Sequence, residues 1–149
     1  MVNRKDFFLI AILILFLDQI TKIIVQQRFF AGESADITSF FSLTFVKNTG
    51  IAWGFLAGKG YVSILVSLLV IGAIAYYFSD IFSQNQTTRI AVALILAGAL
   101  GNLIDRLALG YVVDFLDFHF WPTFNVADSA LTVGAVLFAF FQNSSKSLK

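Results

Sequence analysis

Few side chains in this 149-residue chain can do chemistry, and those that can are mostly carboxylates and amides. With no Cys there is no thiolate nucleophile, no disulfide and no cysteine-ligated metal, and a single His, His119, cannot build a histidine zinc site. The polar residues inside or beside apolar stretches are Asp18, Lys22, Asn48, Asn102, Asp105, Arg106, Asp114, Asp117, Asn125 and Asp128. Paired carboxylates among them could hydrolyse a peptide bond with neither metal nor thiol. One, ionised, takes a proton from water while its protonated partner donates to the scissile carbonyl, and the two titrate as a pair. Alternatively, Asp18, Asp105 and Asp128 could line a cation or proton path through a small transporter. A third option is a divalent cation held by Asp114, Asp117 and Asp128, although this stretch supplies few further oxygen ligands.

Each position also has a local structural role. Asp18 and Lys22 stand four apart and can pair along one helix. Asn102, Asp105 and Arg106, at i, i+3 and i+4, share a helix face and suit a polar clamp between helices. Asn125 can cap the helix that follows it, with Asp128 as the acid of its first turn, where the helix dipole favours the charged form. His119 reads as a polar position in an amphipathic strand and receives no role.

The elements that must position these groups follow from composition. The chain is 58% hydrophobic, 16% aromatic and only 13% charged, about half the charge of an average soluble domain. That fits neither a soluble globular domain nor a disordered chain, and a net charge of +1 gives no pull toward nucleic acid. The expected architecture is an all-α integral membrane protein of one domain (1–149), with four transmembrane helices near 7–24, 61–78, 90–104 and 124–141. Arg4 and Lys5 before an apolar run imitate a secretory signal peptide, but no small-residue cleavage site follows, so a retained helix is expected.

Four spans put both termini on the side of the polar 79–88 connection. Basic residues divide five and five between the two sides, and the terminal ones, which act most directly in insertion, place the termini in the cytoplasm. The polar residues named above then converge on the extracytoplasmic face. There, Phe41, Leu43 and Phe45 alternate with Ser42 and Thr44 within 37–46, and Leu116, Phe118 and Phe120 alternate with Asp117 and His119. With Trp53 and Trp121 at headgroup level, this predicts a small β-rich element on the membrane surface. The phosphate-loop look of residues 54–60 fails by one residue and lacks the Ser/Thr. Glycosylation-like triplets at Asn85 and Asn143 are short matches facing the cytoplasm.

Five blocks carry a resemblance: Asp18-Gln19-Ile-Thr-Lys22, Asn48-Thr-Gly50-Ile-Ala52-Trp-Gly54, Gly98-Ala-Leu-Gly101-Asn102-Leu-Ile-Asp105-Arg106, Gly110-Tyr-Val-Val-Asp114-Phe115 and Phe124-Asn125-Val-Ala127-Asp128-Ser129. In that order they resemble the signature blocks of the bacterial lipoprotein signal peptidase (signal peptidase II) family. The resemblance implies a four-span aspartyl endopeptidase of the cytoplasmic (inner) membrane that removes the signal peptide from prolipoproteins, just before a diacylglyceryl-modified cysteine. It implies catalytic roles for Asp114 and Asp128, and site-supporting or substrate-binding roles for Asp18, Lys22, Asn48, Gly50, Asn102, Arg106 and Asn125. No cofactor or metal is expected; the implied partners are the diacylated prolipoprotein and membrane lipids, and the enzyme is expected to be monomeric. Ala97 stands where Gly is frequent in the family and Trp53 where Phe is usual. The thirteen residues between Asp114 and Asp128 are a short connection, which bears on the shape of the substrate entrance.

Overall fold

A computed structural model describes residues 2–50 and 60–141. The order is α1 (Arg4–Arg28), β1 (Ser34–Thr38), β2 (Phe41–Asn48), α2 (Gly60–Tyr76), α3 (Phe78–Ile81), α4 (Gln86–Leu109), β3 (Val112–Asp117) and α5 (Val126–Phe141). Two helices outrun their apolar stretches because polar caps extend them. Asn3 accepts from the Lys5 and Asp6 amides while Asp6 reaches back to the Asn3 N–H at 3.0 Å, a reciprocal capping box that starts α1 ahead of Phe7. Asn85, read above as a glycosylation triplet, caps α4 by accepting from the Thr88 N–H at 2.8 Å, and Gly110 ends that helix at φ +80°. The expected span 61–78 is interrupted at Tyr77, after which α3 makes a single turn. Both α1 and α4 are long and apolar enough to cross a membrane, while α2 and α5 are apolar but shorter, at 17 and 16 residues.

The burial pattern is that of a membrane protein. α1 turns Phe8, Leu9, Ile12, Leu13, Phe16 and Leu17 outward and buries Asp18 and Lys22 on the face it shares with Phe7, Ala11 and Val25. An apolar exterior around a polar interior suits lipid and not water. α4 and α5 approach closely because their contact is made of small residues. A Cβ on Gly98 would overlap the Ala127 carbonyl and Leu131, and one on Gly101 would lie 2.5 Å from Asp18 Oδ2 and 3.2 Å from Ala127 Cβ.

At one end of the helices lies an antiparallel sheet in the order β1-β2-β3. The alternating run expected over 37–46 is two strands, not one: the chain turns at Ser39 and Phe40 and pairs Asp36 with Ser42 and Ala35 with Leu43. A register shift between Leu43 and Val46 also breaks the expected phase, so Ser42 and Phe45 are both buried. The second expected run is displaced as well. β3 begins at Val112 and ends at Asp117, and His119 lies beyond it at φ +62°, so Phe118 and Phe120 do not continue a strand. Val112, Val113, Asp114 and Phe115 are all buried, and a strand covered on both faces shows no alternation. Phe124 returns beside β3, accepting from the Phe115 and Leu116 amides and donating to the Leu116 carbonyl, which delivers the chain directly to α5. Val25, Phe45, Val113 and Phe115 form the core that fixes the sheet to α1. Trp53 and the 54–60 motif, up to its last residue, lie outside the described residues.

Candidate active site

The innermost feature is a buried triad of charges. Lys22 Nζ lies 2.8 Å from Asp18 Oδ2, 3.0 Å from Asp105 Oδ2 and 3.1 Å from Asn102 Oδ1, so its three donors meet three acceptors. Asp18 Oδ1 accepts from the Ala127 N–H at 2.8 Å, satisfying one of the orphan amides in the first turn of α5. Asp105 accepts from the Val113 N–H at 3.0 Å and from Gln19 Nε2 at 3.1 Å. One lysine thus ties α1, α4, β3 and α5 together. The expected Asp18–Lys22 pair is present, and of the expected clamp Asn102, Asp105 and Arg106 the first two join that pair in one network, while Arg106 bonds to the Asn102 and Gly50 carbonyls. Helical spacing alone gives no sign of the Gln19 and Ala127 contacts, nor of the bond between Asp105 and Lys22.

Two asparagines carry this order outward. The Lys22 ammonium can only donate, so the Asn102 carbonyl must face it, and the Asn102 Nδ2 is left to donate to Asp128 Oδ1 at 2.7 Å. Asn125 is completely buried and caps α5: its Oδ1 accepts from the Asp128 N–H at 2.8 Å. That fixes its own amide, which donates to Asp114 Oδ1 at 2.7 Å and to Asn102 Oδ1 at 3.1 Å. Asn48, at the end of β2, donates to Asp114 Oδ2 at 2.8 Å. Every group in this relay has a determined polarity, and its two acidic ends are Asp114 and Asp128.

Burial first, and the nearby charge of Asp128 second, push the Asp114 carboxyl up to about 7, against the opposing pull of the Asn48 and Asn125 amides and of Lys22. Both aspartates line a cavity of about 1020 Å³ bounded by α2, α4, α5 and the ends of β2 and β3. Asn48, Gly50, Asn102 and Arg106 line it too. Arg106 donates to the Gly50 carbonyl at 3.3 Å, and Gly50 donates to Asn48 Oδ1 at 3.0 Å, so the chain leaving β2 is held against α4. All nine site residues expected from the sequence therefore fall in one connected region.

The competing readings lose their geometry. Asp117 turns away from the cavity to accept from Thr44 Oγ1 at 2.9 Å and from the His119 N–H at 2.9 Å, so Asp114, Asp117 and Asp128 do not converge. Asp18 and Asp105 do not line the cavity, so they extend no path from Asp128. His119 Nε2 lies 2.6 Å from Ser42 Oγ, and neither residue lines the cavity.

Comparison with known proteins gives matches over most of the chain. The lipoprotein signal peptidase of Halothermothrix orenii is 40% identical over 131 residues, 87% of this chain and 90% of that one. The enzyme of the same name from Moorella thermoacetica is 44% identical over 136 residues, covering 88% of each. A solved structure described as a bacterial membrane enzyme superposes with a TM-score of 0.87 at 36% identity, over 98% of this chain and 94% of that one. A second structure of the same description gives a TM-score of 0.82 at 37% identity over 91% of each chain. The family model for signal peptidase (SPase) II matches residues 10–142, and with it the chain belongs to the signal peptidase II family, a peptidase of the aspartic type.

Proposed function

We propose that this chain is an intramembrane aspartyl endopeptidase that cleaves the signal peptide from prolipoproteins before a diacylglyceryl-modified cysteine, with Asp114 and Asp128 as its catalytic pair. The observation that carries the reading is the shared relay: Asn102 and Asn125 hold the two carboxyls on one wall of one cavity. Asp128, at the N-terminal turn of α5, is the ionised partner and takes a proton from water. Asp114, whose carboxyl lies near 7, carries the shared proton and gives it to the scissile carbonyl. Its oxygens each keep a second lone-pair direction, so the proton is accommodated while both amide bonds persist. Water adds to the carbonyl carbon to give a diol. One diol hydroxyl then returns a proton to the Asp114 carboxylate while Asp128 gives the proton it took from water to the amide nitrogen. The C–N bond breaks, and the pair is back in its starting protonation state.

Under this reading α1, α2, α4 and α5 are the four spans of a single membrane-embedded domain over 1–149. The termini are cytoplasmic, and the sheet and cavity are at the extracytoplasmic face of the cytoplasmic membrane. Membrane lipid surrounds a monomer, and the acyl chains of the substrate stay in lipid while its scissile bond enters the cavity. Asp18, Lys22, Asn48, Gly50, Asn102, Arg106 and Asn125 support the pair and carry no proton in the reaction. The test is incubation of purified protein with a diacylated prolipoprotein, reading a mass loss equal to its signal peptide. No mass change, or equal rates on unmodified substrate, would defeat the assignment. A reporter fused after Lys149 should behave as cytoplasmic, and an exported reporter would reverse the orientation.

A further inference from the structure

α2 contributes two hydroxyls to the cavity wall, Ser63 and Ser67, one helical turn apart. Helical hydroxyls elsewhere around the site are satisfied by bonding back to the preceding turn. Thr21 donates to the Leu17 carbonyl at 2.8 Å, Ser129 to Asn125 at 2.9 Å and Thr132 to Asp128 at 2.8 Å. Ser63 does not do this. Its residue is 7% exposed and its hydroxyl has no hydrogen-bond partner, while Ser67 is 9% exposed on the same wall. A buried polar group without a partner is costly in any protein interior and more so at membrane depth, where no water is at hand. The residue lines the cavity, and rotation about χ1 is the freedom through which its hydroxyl can meet an acceptor there.

We infer that Ser63 and Ser67 are positioning residues that donate hydrogen bonds to carbonyl oxygens of the substrate. This rests on the peptidase reading above. A signal helix that ends at its scissile bond brings its last-turn carbonyls, which have no partners within the helix, to this depth. A diacylglyceryl group brings ester carbonyls to the same place. Both are acceptors, and the two hydroxyls that α5 presents to the cavity, Ser129 and Thr132, are already committed.

The experiment measures kcat and KM on diacylated prolipoprotein for Ser63→Ala, Ser67→Ala and the double variant, alongside thermal unfolding in detergent. The expected result is a KM increase on the order of three- to tenfold per variant, the worth of one neutral hydrogen bond. Little change in kcat is expected, no fall in Tm, and recovery in Ser63→Thr. An unchanged or higher Tm is what removal of an unpartnered hydroxyl gives, whereas a merely structural serine would lower it. Repeating the series on a substrate whose ester links are replaced by ethers identifies the acceptor: a serine effect that persists assigns peptide carbonyls, and one that disappears assigns the lipid esters. KM unchanged within twofold in the double variant, or activity lost in step with Tm, overturns the inference. Cleavage retained in Asp114→Asn would instead overturn the peptidase site itself.

Discussion

Replacing Asp114 by Asn should change the pH dependence of stability as well as the chemistry. The Asp114 carboxyl moves from 3.8 to about 7 on folding, chiefly through burial. A raised carboxyl pKa means that the native state binds more protons than the unfolded state between about pH 4 and 7. Stability therefore falls as pH rises through that window and is level above it. About three pKa units at 1.36 kcal/mol each amount to about 4 kcal/mol. Asn at this position has no proton to lose, so the variant lacks this slope. For a chain of this size 1 kcal/mol corresponds to about 2–4 °C, so the Tm of Asp114→Asn minus that of wild type should grow by roughly 10 °C between pH 4 and pH 8. Titrating groups remote from Asp114 occur in both proteins and cancel in the difference, as does any fixed cost of the amide against Asn48 and Asn125. Asp128, whose charge bears on Asp114, does not cancel, and the slope belongs to the pair. The assay is thermal unfolding of both proteins in the same detergent across that range. A difference that stays constant within about 2 °C would refute the assignment of a buried, raised carboxyl to Asp114.

Asp114→Asn and Asp128→Asn should each remove nearly all cleavage of diacylated prolipoprotein, and the double variant should be scarcely worse, because a pair acting as one unit is lost once. Asp117→Asn, whose partners are Thr44 and the His119 amide, should stay within a few-fold of wild type in the same initial-rate assay. Lys22→Met strands Asp18 and Asp105 in the interior, and chemical denaturation should show a loss of about 3–5 kcal/mol, partly recovered when Asp105→Asn is added. Gly101→Ala drives a methyl to 2.5 Å from Asp18 Oδ2 and should lower stability by about 1–3 kcal/mol together with activity. Gly72→Ala, with nothing within 4 Å, should leave Tm unchanged or raised.

Much of the site could be read along the chain because its pieces are local. Asp18 and Lys22 are one turn apart, Asn102 and Asp105 share a face, and Asn125 precedes a helix; each pairing needs only helical spacing. The contact of Lys22 with Asp105 is hidden because its partners are 83 residues apart on different helices. Gln19 was overlooked since a neutral amide beside two charges draws no notice until Asp105 and the Gly101 carbonyl are seen within its reach. The hairpin is hard to read because its turn, Ser39-Phe40, contains none of the Gly, Pro, Asn or Asp that normally mark one; the only sign is the break in alternation where Thr38-Ser39 and Phe40-Phe41 stand side by side. β3 escaped because burial on both faces erases alternation, and the alternating residues after Asp117 offered a false match. Helix ends moved outward because Asn3 and Asn85 act through capping, a signal that hydropathy does not weigh.

The Asp18–Lys22 pair has a consequence for the order in which the enzyme comes into being. Synthesis runs from the N-terminus, so α1 enters the bilayer before α4 and α5 exist. A carboxylate and an ammonium already 2.8 Å apart let it enter without net charge at that depth. Asp105 joins when α4 is made, and the Ala127 N–H reaches Asp18 only when α5 docks. Asp128 arrives on that same last helix. On the proposed pairing of Asp114 with Asp128, the second aspartate is delivered last together with the amide that anchors α5 to α1, so the pair is complete only once the last helix has docked.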